Sequence, residues 1–253
     1  MCVLLMHVCV MHPSSGFAWV VFAALTVTTM ASCADSRDVK TISFHPHLAM
    51  TIERLLADTN AVPQDRQTEL NALAQWTAET LHRQERVDLI FICTHNSRRS
   101  HLAQVWAQVG SSVLGLSGIQ TFSGGTEATA CNPRTVEAMR RAGFEVTEAD
   151  TTHGTTNPTY HVSTGLSSMF CFSKKYGDEA NPKEGFAAVM TCSSADRSCP
   201  LVYGAEARFS TPYVDPKVSD GTSEEAATYD ARLDQIGTEM LYLMGRVAER
   251  VTR

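Results

Sequence analysis

Apolar residues recur along this chain with two different periods, and the switching between them outlines a fold. Leu48, Ile52, Leu55 and Leu56 follow the helical period, which stops at Asn60-Ala61-Val62-Pro63. Leu70, Leu73, Trp76 and Leu81 resume it to about Arg86. The two stretches predict a helical hairpin over 46–86 whose apolar stripe packs on the rest of the chain. The run from Val87 to Cys93 is short and dense in Ile and Leu, as a strand buried on both faces should be. A helical pattern follows over about 99–114, and then a strand over 119–123 closed by Gly124-Gly125. Asn132-Pro133 opens a helix through Arg141, with Pro in its first turn. Gly143 separates that helix from a strand at 144–146, and the polar, turn-rich residues 148–167 read as a loop. Two more strands are expected at 170–173 and 186–191, the second almost wholly apolar. A long helix over about 223–251 closes the pattern.

Strands alternating with helices imply βαβ units and an α/β three-layer sandwich around a mostly parallel sheet. In such sheets ligands gather at the carboxyl ends of the strands. A length of 253 residues suits one domain, placed at 87–253, with the 46–86 hairpin as an extension and a polar linker over 35–45. Residues 1–34 differ from everything after them. They hold no Asp, Glu, Lys or Arg, and Phe17 to Leu25 forms an apolar core like that of a signal peptide. Met30-Ala31-Ser32-Cys33 loosely matches a lipoprotein cleavage box, which makes export or anchoring through Cys33 one expectation. The segment also lacks the positive charge that normally opens a signal, and Thr26, Thr28 and Thr29 interrupt its apolar run. A wrongly assigned start would account for it equally well. A membrane association is expected only if this segment is a real anchor.

The net charge of −6 and the lack of a basic stripe argue against a nucleic-acid partner. Eight cysteines (Cys2, Cys9, Cys33, Cys93, Cys131, Cys171, Cys192 and Cys199) are too few for a disulfide scaffold in a chain this long. Their positions carry more than their number. Cys93 ends the first strand, and Thr94, His95, Asn96, Ser97 and Arg98 lead from it to Arg99 and Ser100 at the start of a helix. Such a strand–loop–helix turn cradles a tetrahedral oxyanion on backbone amides. The same field favours thiolate over thiol, and a guanidinium fork matches two anion oxygens. Cys93 is therefore a candidate nucleophile, with Arg99 and Ser100 beside it and the 94–98 loop as oxyanion cradle.

Two further features bear on this loop. Cys192 follows the buried strand at 186–191, at the same sheet edge as Cys93, and Cys199 lies seven residues on in a Ser- and Asp-rich stretch that reads as mobile. The spacing is too wide for a tight zinc knuckle. It leaves open a disulfide formed when the intervening turn unwinds, two unrelated thiols, or a metal site that borrows a His. Tyr213-Val214-Asp215-Pro216 reads as a turn before the last helix. An acid there would be placed to protonate the leaving oxygen of an ester attacked by Cys93.

Together, Cys93-x5-Arg99-Ser100 near the domain start, Ser123-Gly124-Gly125 with Asn132-Pro133, and a late Asp215-Pro216 resemble the low-molecular-weight protein tyrosine phosphatase superfamily over about 87–250. Cys93 to Ser97 (Cys-Thr-His-Asn-Ser) and the Cys192 to Pro200 stretch are similar to its thioredoxin-coupled arsenate reductases. The resemblance implies the superfamily's α/β fold, no cofactor and no metal. It also implies a relay in which Cys93 takes arsenate, Cys192 forms a disulfide with it, and Cys199 passes that disulfide to thioredoxin. A reducing partner suits the cytoplasm better than an exported lipoprotein. Some residues depart from the pattern. Arg98 stands where Cys is common, His95 where Gly is common and Gln104 where the reductases usually carry Glu. Lys217 and Val218 replace the aromatic residues of tyrosine phosphatases, and residues 150–185 and the N-terminal hairpin have no counterpart. Two alternatives accompany arsenate reduction. One is phosphomonoester hydrolysis, as by a protein tyrosine phosphatase, through phospho-Cys93. The other is a non-catalytic oxyanion- or phosphopeptide-binding module.

Overall fold

The computed structural model describes residues 44–149 and 156–252. The leader over 1–34, including Cys33, and nearly all of the 35–45 linker lie outside the described residues. The hairpin forms as its pattern requires, from α1 (Pro46–Ala57) and α2 (Gln64–Arg83) with a short 3-10 turn between them. The main body then runs β1 (Val87–Cys93), α3 (Arg99–Val113), β2 (Ile119–Gly125) and α4 (Pro133–Arg141). Asn132 caps α4 by accepting the Arg134 amide, and Pro133 takes its first position, where no amide donor is needed. After these come β3 (Glu145–Glu148), β4 (Tyr160–Ser163), β5 (Ser168–Cys171) and β6 (Phe186–Met190). The chain continues through α5 (Ser193–Ser198), β7 (Ala205–Ser210) and α6 (Glu225–Val251).

The central sheet has the order β2-β1-β6-β7 and every pairing in it is parallel. Its register carries Val87 opposite Ile119 and brings Cys93 opposite Gly125 at the carboxyl edge. β1 is apolar on both faces because it separates two cores. Leu89 and Phe91 belong to a large cluster with Trp106, Leu48, Ile52, Leu70 and Tyr229. Ile90 and Ile92 belong to a smaller one with Phe186, Met190, Cys93 and Cys192. Leu48, Ile52, Leu55, Leu70 and Leu73 of the hairpin are at most 1% exposed. Their apolar faces meet α6 and so join the main core.

Three sequence expectations need correction. Residues 148–167 are not simply a loop, because β4 lies within them. β3 and β5, expected in the parallel sheet, pair with β4 in a separate antiparallel sheet of order β3-β4-β5. Short strands with one wet face carry a weak period, and the polar composition of 148–167 hid this hairpin. The Ser- and Asp-rich stretch after Cys192 is not a mobile loop but the helix α5, and β7, which follows it, gave no apolar run to find. Every β7 position is only partly buried or exposed, as expected of an edge strand.

The antiparallel sheet returns the chain to the central one. Gly125 donates to the Lys174 carbonyl and accepts from the Tyr176 amide, so residues 174–176 run beside the end of β2. A Cβ on Gly124 would strike the Tyr176 backbone, and one on Gly125 would strike the Thr94 carbonyl and the Asn96 amide. The Gly124-Gly125 pair is thus what lets this segment and the loop after Cys93 close on β2 from two sides.

Candidate active site

Cys93 is the last residue of β1 and is 3% exposed, with the loop of residues 94–98 turning over it into α3. The carbonyls of this loop face outward and are tied to its surroundings. Cys93 O accepts from the Thr126 amide and Thr94 O from the Glu127 amide. His95 O accepts from the hydroxyls of Ser173 and Thr129, and Ser97 O from the Asn132 amide. The amides of residues 95–98, by contrast, donate to no acceptor among the described residues. A loop with four carbonyls tied outward and four amides left without a protein acceptor has the geometry that suits an anion.

Asn96 shapes that turn. It is the one described residue other than glycine at positive φ, 44°, and it is fully buried. Its amide nitrogen donates to Ser100 Oγ at 2.8 Å, while its oxygen accepts from the Lys174 amide at 3.0 Å. Ser100 Oγ in turn lies 3.1 Å from Cys93 Sγ, completing a chain of contacts that reaches the thiol. Underneath sits His101, wholly buried, with Nδ1 3.2 Å from Ser123 Oγ. Burial, aided by the nearby Lys174 ammonium, lowers its pKa to about 3, so it is a neutral prop at physiological pH.

Arg99 lies against the acid loop. Its Nη2 donates to Asp215 Oδ2 at 2.7 Å and its Nη1 to the Tyr213 carbonyl at 2.9 Å, while Nε is buried without a partner. Asp215 also accepts the Lys217 amide and so caps the 3-10 turn Pro216–Ser219. The structure therefore brings Cys93, Ser100, Arg99 and Asp215 to one edge of the sheet. Cys192 joins them through its strand: Thr191 donates to Ile92 O, and Cys192 Sγ lies 3.5 Å from Thr94 Oγ1. Cys192 is 1% exposed and its sulfur accepts the Ala195 amide at the start of α5. Cys199 caps the other end of α5, partly exposed and followed by the exposed Leu201 and Tyr203.

Two loop residues find partners outside the loop. The Arg98 guanidinium donates from Nε to the Tyr229 hydroxyl at 2.7 Å, reaches Asp220 at 3.4 Å and lies 3.9 Å from Asp215 Oδ1. Burial and the Asp220 carboxylate, against the opposing pull of Arg98, raise the Tyr229 pKa to about 12. The His95 ring is half-exposed, 3.5 Å from Glu127. The left-handed turn falls one residue later, at Asn96, and so demands no glycine at position 95.

Sequence reasoning missed the residues that brace the loop from outside, namely Ser173, Lys174 and Thr129. They come from segments without a motif, and only the return of residues 173–176 to β2 brings them in. Cys131 and Cys171 are buried too, and burial raises both thiols, Cys171 to about 11, so neither forms thiolate readily. Among the described residues no three His, Cys, Asp or Glu side chains converge as a metal site would require. Beside the loop lies a cavity of about 860 Å³ whose lining includes Thr126, Ser173, Lys175, Tyr176 and Tyr203.

No family model matches the chain. Curated sequences do. Arsenate reductase 2 of Staphylococcus epidermidis is 31% identical over 114 residues, which is 45% of this chain and 66% of that protein. The arsenate reductase of Bacillus licheniformis is 29% identical over 150 residues, 59% of this chain and 88% of that one. The chain thus spans 66% of the length of the staphylococcal relative. The chain is thus similar to curated arsenate reductases. Among solved structures, a low-molecular-weight protein tyrosine phosphatase from T. tengcongensis aligns at 17% identity over 63% of this chain and 98% of that one, with a TM-score of 0.43. A Corynebacterium glutamicum thioredoxin-dependent arsenate reductase aligns at 14% identity over 75% and 92%, with a TM-score of 0.34. Gln104 donates to Thr121 O at 3.2 Å from a buried position.

Proposed function

We propose that the protein is an arsenate reductase in which Cys93, Cys192 and Cys199 form a redox relay and thioredoxin is the reductant. The observation that carries this reading is the position of Cys192. It lies in the same buried cluster as Cys93, at the end of the neighbouring strand, with Thr94 Oγ1 in contact with its sulfur. A phosphatase needs no second thiol there.

In this mechanism Cys93 thiolate attacks As(V) held on the amides of residues 94–98 and by Arg99, and an oxygen leaves as water with a proton from Asp215. Ser100 Oγ steadies the thiolate. Cys192 thiolate then attacks Cys93 Sγ, and the electron pair of the S–As bond stays on arsenic, which departs as As(III). The resulting Cys93–Cys192 disulfide is attacked at Cys192 by Cys199, which releases Cys93 as thiolate. A dithiol of the thioredoxin type reduces Cys192–Cys199 and resets the site. Cys199 is the most exposed of the three thiols and has exposed Leu201 and Tyr203 next to it in sequence, which supports its role as the exit to a protein reductant. The dependence on a thiol reductant favours a reducing compartment such as the cytoplasm. Among the described residues no helix is long and apolar enough to cross a membrane.

Phosphomonoester hydrolysis is the second reading, favoured by the 2.7 Å Arg99–Asp215 pair, which places a carboxyl group beside the anion site. It needs only Cys93, Arg99 and Asp215. Purified full-length protein assayed with arsenate, thioredoxin, thioredoxin reductase and NADPH, and separately with p-nitrophenyl phosphate, separates the two. Cys93→Ser is expected to lose both activities, and Cys192→Ser or Cys199→Ser only the first. Arsenate turnover that survives Cys192→Ser rules out the relay. Activity in neither assay leaves a binding module.

A further inference from the structure

The relay demands a movement that the structure resists at one identifiable place. Cys192 and Cys199 stand at the two ends of α5. Seven residue steps of helix separate them by roughly 10 Å along the axis, whereas a disulfide needs Cα atoms about 4.4–6.8 Å apart. α5 must therefore unwind before the second disulfide can form. Four hydrogen bonds from β7 oppose this. Arg208 donates through Nε to Cys199 O at 3.2 Å and through Nη2 to Asp196 O at 2.7 Å. The same Nη2 donates to Asp196 Oδ1 at 2.5 Å, and Ser210 Oγ donates to Asp196 Oδ2 at 2.8 Å. Asp196 has both carboxylate oxygens engaged, and a single guanidinium holds two backbone carbonyls, in the middle of α5 and at its end.

We propose that Asp196, Arg208 and Ser210 are positioning residues for the thiol pair, a latch that keeps α5 wound while Cys192 faces Cys93 and that sets how readily Cys192 and Cys199 pair. This rests on the redox reading of Cys192 and Cys199. The latch acts on one side of the equilibrium. Its bonds exist in the reduced, helical state and are lost when α5 opens, so weakening them favours the disulfide. Because Arg208 and Ser210 lie on β7, away from the Cys93 loop, the latch can be loosened without touching the anion site.

The test uses the full chain carrying Cys93→Ser, which prevents the competing Cys93–Cys192 disulfide. The protein is equilibrated in glutathione buffers of stepped ratio, where glutathione disulfide takes two electrons from Cys192 and Cys199 and leaves as two glutathiones. The Cys192–Cys199 fraction is then read by alkylation and mass spectrometry. Loss of a charge-assisted pair in Asp196→Ala or Arg208→Met is expected to raise the oxidised-to-reduced ratio roughly tenfold at a fixed buffer. Ser210→Ala is expected to shift it less and Ser210→Thr, which keeps the hydroxyl, to restore it. Amide exchange over 193–199 should quicken in the first two variants while α3 and α6 stay protected. Should Asp196→Ala and Arg208→Met not fold, Ser210→Ala and Asp196→Asn supply the same comparison. An unchanged ratio with unchanged exchange overturns the latch. Arsenate turnover by the wild type, measured in parallel, tests the function separately. Turnover without a shift defeats only the latch, and a shift without turnover defeats only the arsenate reading. Failure of Cys192 and Cys199 to pair in any buffer defeats both.

Discussion

Asn96 holds the left-handed turn of the anion loop and spends both ends of its side chain on it, one on Ser100 and one on Lys174. Asn is among the few side-chain-bearing residues that tolerate this backbone region. Asn96→Ala is therefore expected to lose about 2–4 kcal/mol from strain and the missing bonds together, and Asn96→Gly less, because Gly relieves the strain but not the bonds. Urea unfolding of the two variants against the wild type measures both. His101 makes a second prediction at this scale. Its folded-state pKa of about 3 lies below the usual value near 6.5, so the unfolded chain binds the extra proton. Stability from His101 is present above about pH 6.5 and is lost as pH falls toward 3. Between pH 7 and 5 that loss amounts to about 2 kcal/mol. His101→Gln should flatten this part of the stability-against-pH curve, and a curve of unchanged slope would contradict the assignment. Of the site, Cys93, Arg99, Ser100 and Asp215 were legible in the sequence because they stand in motifs of fixed spacing. Ser173, Lys174 and Arg208 were not, since nothing local marks a residue whose partner is more than ten positions away or on another strand.

Between elements, the hairpin does more than cover the core. Arg66 of α2 lies 4.8 Å over the Tyr213 ring and pairs with Glu239 of α6 at 2.6 Å. The carbonyl of the same Tyr213 accepts from Arg99. A helix that precedes the main body in sequence thus braces the loop carrying Asp215. Arg66→Ala is expected to lower the rate of the Asp215-dependent step several-fold, roughly 1 kcal/mol for a lost cation–π and ion-pair contact. Substrate binding through the Cys93 loop should remain, and steady-state kinetics would show the change in kcat rather than KM. Trp76 of α2, 6.2 Å from Phe209 of β7, extends the same bracing to the strand that holds α5. The helix period made α1 and α2 plain in the sequence, as the parallel-sheet strands were from their apolar runs. β4, α5 and β7 were missed because each is short and polar on at least one face.

For the molecule as a whole, five hairpin side chains at most 1% exposed are each worth about 1.5–3 kcal/mol of burial, a sum comparable to the entire stability of a typical domain. Residues 86–253 alone are therefore expected to lack a cooperative thermal transition, which circular dichroism would show; a sharp melt near that of the full chain would refute this. Gly143, at φ 98°, lies where a Cβ would strike the backbone of His47 and Leu48 at the start of α1. Gly143→Ala should thus destabilise the join between hairpin and body by a few kcal/mol, measurable by urea titration.

The sequence by itself determined the elements whose signal is periodic or contiguous: the hairpin helices, the buried parallel strands, the nucleophile loop at the end of β1 and the Asp-Pro turn. Local sterics and burial act over a few residues, so a few residues suffice to announce them. Only the tertiary structure decided which segments close on that loop. It set the left-handed turn at Asn96 rather than beside His95, tied Arg98 to Tyr229 and Asp220 and placed Cys192 against Thr94. It also wound the stretch up to Cys199 into a helix held from β7. Each of these depends on a partner far along the chain, and a distant partner leaves no period to read.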